Sequence, residues 1–221
     1  FKNMKNLSHF LGTMQGKVIG GLVIIIVALL AYYFYATKGV DTNIPTEIIV
    51  SETDHIRGAL DGKVTLVEFG DFQCPACAAY EPLVRKVVAD NAGVVKVVFK
   101  HFPLTQIHQN ALLSAKASES AGLQGKFWEM HDILYDKQSE WSGSLNARDM
   151  FINYAGILGL DKTKFIAELE NKSIEEKILA EFKEGVRLGV QGTPTFFVNG
   201  KKIDSPKSIE EFNKIIKEAN K

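Results

Sequence analysis

The chain has 221 residues, and its 26 lysines and arginines balance 26 aspartates and glutamates. A net charge of zero gives no electrostatic reason to expect nucleic acid as a partner. The two cysteines are separated by only two residues. This spacing argues against a small secreted domain cross-linked by several disulfides, and it indicates a reactive pair.

The first predicted element is an uncharged stretch of nineteen residues, Val18–Ala36. As a helix it matches the ~30 Å hydrocarbon core of a bilayer, and the tyrosines at its end suit the membrane interface. Lysines without acidic residues precede it. The positive-inside rule therefore predicts a cytoplasmic tail (1–17), a single-pass anchor in the cell membrane (18–36) and a domain outside the cytoplasm. A cleaved signal peptide is the alternative, although its apolar region is usually shorter, about 7–15 residues.

A polar linker over 37–53 leads to a domain over about 54–221. Within it, the β-branched and apolar run Val64–Phe69 predicts a buried strand. A helix follows the cysteine motif and ends near Asp90, and Val94–His101 predicts a second strand. A parallel strand pair joined by a helix is typical of an α/β fold.

The region from about 109 to 188 is helical in pattern, with one helix predicted to begin at a capping box that opens on Ser173. Two short strands follow, Thr195–Val198 and Lys201–Ile203, joined by an Asn-Gly turn that is typical of a hairpin. A second capping box at Ser208 opens the last amphipathic helix.

The chemistry centres on the segment Cys74-Pro75-Ala76-Cys77, which comes after a strand and opens a helix. The N-terminus of a helix presents free N–H groups and a positive dipole end, which lower the pKa of a thiol placed there. Pro75 suits the first helical position, because its missing N–H costs nothing there. The spacing lets Cys74 attack a foreign disulfide and Cys77 resolve the mixed disulfide.

The cysteine pair has two other possible interpretations. Half of a zinc site would need two further ligands, and the sequence has no second cysteine pair and no histidine close to the motif. A structural disulfide would close a very short loop and constrain little. We therefore expect no metal and no cofactor.

Two further positions carry a chemical signal. Glu68 lies inside the apolar run before the motif, where burial raises the pKa of a carboxyl group and would let it exchange a proton with Cys77. The alternative is a glutamate on an edge strand that faces water. Thr193-Pro194 precedes a strand, where proline cannot donate to the sheet. An ordinary trans turn is the alternative there, because only ~5–6% of X–Pro bonds are cis.

Together these motifs resemble the thioredoxin superfamily, and the long helical section resembles its DsbA-type branch. The residues that carry the resemblance are VTLVEFGDFQCPAC (Val64–Cys77) and GVQGTPTFFVNG (Gly189–Gly200), and it covers about 54–221. The resemblance implies a thioredoxin-like α/β fold with a helical insertion at about 109–188, preceded here by the transmembrane helix.

The resemblance also implies a role for each motif residue. Cys74 would be the nucleophile, Cys77 the resolving thiol and Glu68 a buried proton acceptor. Thr193 and Pro194, joined by a cis bond beside the cysteines, would pair with a substrate peptide through their backbone. Strongly oxidising members often carry histidine where this chain has Ala76, so a cationic neighbour of the thiolate is missing.

Three functions follow as hypotheses. The first is an exported dithiol oxidase that acts on cysteine-containing exported proteins and is recycled by a quinone-linked thiol oxidase of the membrane, a partner that the resemblance implies. The second is an exported reductase or isomerase, because the direction depends on a reduction potential that the sequence does not fix. The third is a non-catalytic binding or metal-delivery module on the same fold.

Overall fold

The computed structural model describes residues 14–37, 48 and 50–221. Residues 1–13 of the predicted tail and most of the predicted linker lie outside the described residues. The chain divides into two compact units, one that ends at Pro45 and one that spans Thr46–Lys221.

The first unit is described by one helix, α1 (Met14–Thr37). Its apolar side chains from Val18 to Tyr33 include many that are exposed. Over the described residues, no helix combines the length and the apolar character that crossing a membrane requires. The anchor predicted at 18–36 is therefore not confirmed.

The second unit alternates strands and helices around one sheet. Its elements are β1 (His55–Gly58), β2 (Val64–Gly70), α2 (Pro75–Asp90), β3 (Val95–His101), α3 (Ala111–Gly122), α4 (Phe127–Asp136), α5 (Gln138–Trp141), α6 (Ala147–Ile157), α7 (Lys162–Leu169), α8 (Lys172–Arg187), β4 (Thr195–Val198), β5 (Lys201–Ile203) and α9 (Ile209–Ala219). The sheet has the order β1-β3-β2-β4-β5, in which β2 and β3 are parallel and the other neighbours antiparallel. The thioredoxin-like α/β fold and the helical insertion are thus confirmed.

The central strand β2 is buried on both faces, which explains why most of its residues are apolar. Because side chains alternate along a strand, Leu66 points into a core shared with α2 and α9, whereas Val67 and Phe69 point into the core on the opposite face. Glu68 shares the face of Leu66. It therefore faces α2, the helix that carries the cysteines.

Helices α3–α7 of the insertion build a third core, which also contains both cysteines. The side chains of Trp141, Phe151 and Phe165 in this core have no exposed surface. The active-site helix α2 therefore packs against the sheet on one side and against the insertion near its first turn.

Helix starts were predicted with mixed success. Ser208 Oγ accepts a hydrogen bond from the backbone N–H of Glu211, so the cap of α9 is confirmed. The prediction of a capping box that opens on Ser173 is wrong. Helix α8 begins at Lys172, and the side chain of Asn171 caps it by accepting from the N–H of Ser173. Asparagine is as good a cap as serine, and the sequence offered both within three residues.

Candidate active site

Cys74 is the last residue before α2, in the loop that connects β2 to this helix. Its backbone is extended (φ −72°, ψ 120°), and Pro75 occupies the start of the helix. The Cys74 N–H donates to Asp71 O over 3.0 Å, which closes the turn between strand and helix. Pro75 and Ala76 are exposed, so the tip of the motif faces solvent.

The two thiols have opposite pKa shifts. The pKa of Cys74 is lowered to about 5, chiefly by a hydrogen bond from the Cys77 side chain and further by the Thr193 hydroxyl and the N–H groups of Ala76 and Cys77. Burial opposes this shift. The pKa of Cys77 is raised well above its ordinary value, first by burial, then by its hydrogen bond to the Cys74 side chain, and then by negative charge on Glu68 and Cys74. At neutral pH the reduced pair therefore holds one thiolate and one thiol.

The solvent accessibility of the two cysteines differs in the same sense as their pKa values. Cys74 keeps 7% of its surface exposed and Cys77 none. Both are free thiols in this structure. An external disulfide can therefore reach Cys74 sulfur, whereas Cys77 can react only with a sulfur already attached to Cys74.

Glu68 is buried, with 2% of its surface exposed. It lies on the central strand, opposite Phe99 of β3 and Phe196 of β4, so it is not an edge-strand residue. Burial first, and then the charge on Glu81, raise its pKa well above the ordinary value for glutamate. A buried carboxyl group with a raised pKa holds a proton more tightly than an ordinary one, so beside a buried thiol it can accept the thiol proton and later return it.

The Thr193–Pro194 bond is cis, as the motif predicts. The Cys74 thiol donates to Thr193 O over 3.3 Å, which places this loop directly beside the nucleophile. The Thr193 Oγ1 atom is buried without a hydrogen-bond partner in this thiol form. It is therefore available to the thiolate, which agrees with its effect on the Cys74 pKa.

A group of residues that sequence reasoning missed holds the loop before Cys74. Asp71 accepts from the N–H groups of Gln73 (2.8 Å) and Leu104 (3.0 Å) and from His108 Nδ1 (2.6 Å). Aspartate bonding to the backbone two residues ahead is a common turn signal and could have been found. The bonds from Leu104 and His108 join distant parts of the chain and leave no local signal.

Gln138 at the start of α5 is a second missed contact. Its Nε2 donates to Phe72 O (2.7 Å) and to Cys74 O (2.9 Å), so the insertion holds the active-site loop by two hydrogen bonds. This contact fixes the loop against the helical insertion.

We expect Gln138→Ala to lower the free energy of unfolding by about 1–3 kcal/mol, because loop carbonyls lose their donor. Gln138→Glu should do the same at neutral pH, since a carboxylate cannot donate. Urea denaturation measures both effects. Gln124→Ala removes two exposed hydrogen bonds, one donated to Asp161 O and one accepted from the Asp161 N–H. It is the control and should change stability less, because water can replace both bonds. Equal losses of unfolding free energy in all three variants would contradict the role of Gln138 in holding the active-site loop.

The described residues contain one group with metal-ligand spacing, formed by Glu81, His131 and Asp132. Neither cysteine belongs to it. Arg57 donates to both Glu81 (3.2 Å) and Asp132 (2.6 Å), and Arg85 donates to Glu81 (2.8 Å). Two guanidinium groups already neutralise these carboxylates, so the donor set does not fit a cation.

The Cys74 pKa leads to a prediction about stability. Between about pH 5 and pH 9 the folded reduced protein carries a thiolate where the unfolded chain carries a thiol, so the unfolded chain binds more protons. The contribution of Cys74 to the free energy of unfolding of the reduced protein should therefore increase with pH across that window. Below the window this contribution should be absent. Denaturation of reduced and oxidised protein between pH 4 and pH 8.5 measures it, because the disulfide form lacks the titrating thiol. Parallel pH curves for the two forms would contradict the lowered pKa.

Comparisons with known proteins agree with this geometry. A family model described as Thioredoxin matches residues 50–218. The chain is 37% identical over 185 residues to the Na(+)/H(+) antiporter NhaA 3 of Salinispora tropica, covering 83% of this chain and 27% of that protein. It is 39% identical over 181 residues to NhaA 1 of Salinispora arenicola, covering 81% and 26% respectively. The chain therefore spans about a quarter of the length of the curated relatives it matches.

Solved structures share the fold at low identity. The thiol-disulfide exchange protein α-DsbA2 of Wolbachia pipientis matches with a TM-score of 0.67 and 20% identity, covering 76% of this chain and 88% of that chain. Oxidised BdbD of Bacillus subtilis matches with a TM-score of 0.65 and 23% identity, covering 75% and 92%. At these identities the likeness is one of fold.

Proposed function

The chain belongs to the thioredoxin family, and we propose that it is a thiol–disulfide oxidoreductase with Cys74 as nucleophile and Cys77 as resolving thiol. The observation that carries the proposal is the opposite shift of the two thiols, which leaves Cys74 ionised and accessible and Cys77 protonated and buried. Cysteines that serve only to pack a core are inert and do not require different pKa values. The Thr193 carbonyl beside Cys74 supports a backbone contact for the client peptide.

The exchange proceeds in two steps when a client is oxidised. A client thiolate attacks Cys74 sulfur of the enzyme disulfide, the bond between the two enzyme sulfurs breaks, and the Cys77 sulfur leaves with the electron pair and takes a proton. A second client thiolate then attacks the client sulfur of the mixed disulfide, and Cys74 leaves as a thiolate. The client gains a disulfide, and the enzyme is left with two reduced cysteines.

The direction of the reaction is the finer part of the proposal. A thiolate with a pKa of about 5 stabilises the reduced enzyme, which makes its disulfide a better oxidant. This value lies between those of about 7 for thioredoxin and about 3.5 for DsbA. It supports a dithiol oxidase acting on cysteine-containing exported proteins. The missing cation at Ala76 supports the reductase or isomerase alternative.

Redox titration of the full chain against glutathione tests the direction. We expect a reduction potential well above the value of about −270 mV of thioredoxin, together with faster disulfide formation in a reduced client. A potential at or below the thioredoxin value would assign the chain as a reductase. Zinc or copper(I) titration of the reduced protein tests the metal-delivery alternative, for which tight binding to both thiolates is required.

We also propose that the domain works outside the cytoplasm and that a quinone-linked thiol oxidase of the membrane restores its disulfide. The support for the location is the sequence alone: an uncharged apolar stretch, 18–36, preceded by lysines without acidic residues. Protease added to spheroplasts should digest the domain. Full protection of the domain would place it inside, and the recycling partner would then need a different chemistry.

A further inference from the structure

The buried polar atoms without a hydrogen-bond partner include Glu68 Oε1, on the strand before the cysteine motif, and Tyr135 Oη, in the core that contains both cysteines. Removing a polar group from water without such a partner costs about 1–3 kcal/mol, so the group calls for an explanation. The proposed proton exchange explains Glu68. It does not use Tyr135, which lies on α4 with 5% of its surface exposed.

The position of the hydroxyl follows from its contacts. A Cβ atom added to Gly70 would lie 3.2 Å from Tyr135 Oη, so the hydroxyl rests against the end of β2. Gly70 shares with Glu68 the strand face that points to α2. The Tyr135 ring packs on Phe72 with 5.0 Å between centroids, and it belongs to the core that also contains Cys77. The hydroxyl therefore lies at the end of the active-site strand, in the core that contains the buried thiol.

The charges around the hydroxyl make it a donor. Burial holds the Tyr135 pKa well above its ordinary value, and negative charge on Cys77 and then on Glu68 raises it further. The phenol thus stays protonated at physiological pH. This O–H group has no acceptor, and it shares a core with a sulfur that becomes negative only during the reaction. A donor of this kind can stabilise the charged sulfur of the transition state more than the resting thiol.

We propose that the Tyr135 hydroxyl donates a hydrogen bond to the Cys77 sulfur while that sulfur carries negative charge during exchange. The inference rests on the proposed function. In client oxidation, Cys77 is the sulfur that leaves when the bond between the enzyme sulfurs breaks. In the reverse reaction, Cys77 loses its proton to Glu68 and attacks Cys74, and the client sulfur leaves with the electron pair. The same atom is charged in both directions, so the hydroxyl should speed both.

The test is Tyr135→Phe in the full chain, with glutathione as the probe. Stopped-flow tryptophan fluorescence would follow reduction of the enzyme disulfide by glutathione and its re-formation by oxidised glutathione. We expect both rate constants to fall about tenfold and their ratio to stay within twofold of wild type, because a hydrogen bond to a charged group is lost only in the transition state. Unchanged rate constants would overturn the inference. A wild-type protein that does not exchange with glutathione would instead overturn the proposed function.

Tyr154→Phe is the matched control, because Tyr154 is a second buried tyrosine of the same core, and the charges acting on it are those of Glu140 and Lys137. An equal loss in this variant would assign the effect to core packing and overturn the inference. Site-specific 3-fluorotyrosine at position 135 serves if Tyr135→Phe loses thermal stability. Its hydroxyl is a stronger donor of nearly unchanged size, so both rate constants should rise at least twofold, and unchanged ones would again refute the role of the hydroxyl.

Discussion

Cys77→Ala should accumulate mixed disulfides between this protein and its clients, whereas Cys74→Ala should form none and lose all exchange activity. Cys74 is ionised at neutral pH, with a pKa of about 5, and it is the sulfur that retains exposed surface. Cys77 is fully buried, and its thiol holds its proton. Only Cys74 can therefore make the first covalent bond to a client.

The resolving step explains why the adducts persist. Within the mixed disulfide, Cys77 lies one helical turn from Cys74, so its attack is intramolecular and corresponds to an effective concentration far above that of any external thiol. Without Cys77 this exit is lost. Release must then wait for an external thiolate, which should lengthen the lifetime of the adduct by at least about a hundredfold.

Non-reducing gels of cells that express each variant would measure the adducts, followed by their identification. The variant that combines Cys74→Ala and Cys77→Ala is the background control, since it has neither thiol. Equal trapping by both single variants would falsify the assignment of nucleophile and resolving thiol. Full exchange activity in Cys74→Ala would remove the enzymatic proposal itself.

The sequence predicted the parts of this site that have local signals. Val64–Phe69 could be recognised as a buried strand because both of its faces are apolar, and Pro75 marked the start of α2 because proline suits that position. The cis Thr193–Pro194 bond followed from the paired motifs of the family and not from physical reasoning, which favours trans.

Other features depend on contacts between distant residues. Strand β1 (His55–Gly58) was missed, because its four residues have little strand pattern and become a strand only by pairing with β3. Gln138 binds the Cys74 backbone from the helical insertion, some sixty residues along the chain, and Tyr135 joins the core around the cysteines from the same insertion. A single sequence carries no signal for such packing. The sequence therefore identified the pair Cys74–Cys77 but not the residues that position these cysteines or shift their pKa values.

The largest single effect outside the cysteines is expected from Glu68→Gln, which should slow exchange and raise stability at the same pH. Glutamine keeps the shape of the side chain but cannot accept or return a proton. Because a positioned acid or base contributes about 10²–10⁴-fold to a proton-transfer step, we expect the rate constant for the Cys77-dependent step to fall by about a hundredfold at pH 7. The reaction of Cys74 with iodoacetamide should change much less, since Cys74 is already ionised.

The stability change has the opposite sign, and it separates a functional carboxyl group from a structural one. The Glu68 pKa is raised in the folded protein, chiefly by burial. Above the ordinary value near pH 4.5 the folded chain therefore binds more protons than the unfolded chain, and this group lowers stability as the pH rises. Glu68→Gln removes this destabilisation. The free energy of unfolding of the variant should therefore equal that of wild type at pH 4 and exceed it increasingly towards pH 7. Urea denaturation across this range measures the gain, and stopped-flow exchange with glutathione measures the rate.

Glu181→Gln is the matched control, because Glu181 is a buried glutamate on α8 whose pKa is also raised chiefly by burial. Its carboxylate accepts from the backbone N–H of His101, and the charges acting on it come from His101, Lys177 and Glu119 rather than from the cysteines. It should leave the exchange rate within about twofold of wild type. A buried carboxyl group that costs stability and speeds the reaction is a compromise typical of active sites. If Glu68→Gln exchanges as fast as wild type, or loses stability at pH 7, then Glu68 serves the fold and another group must take the Cys77 proton.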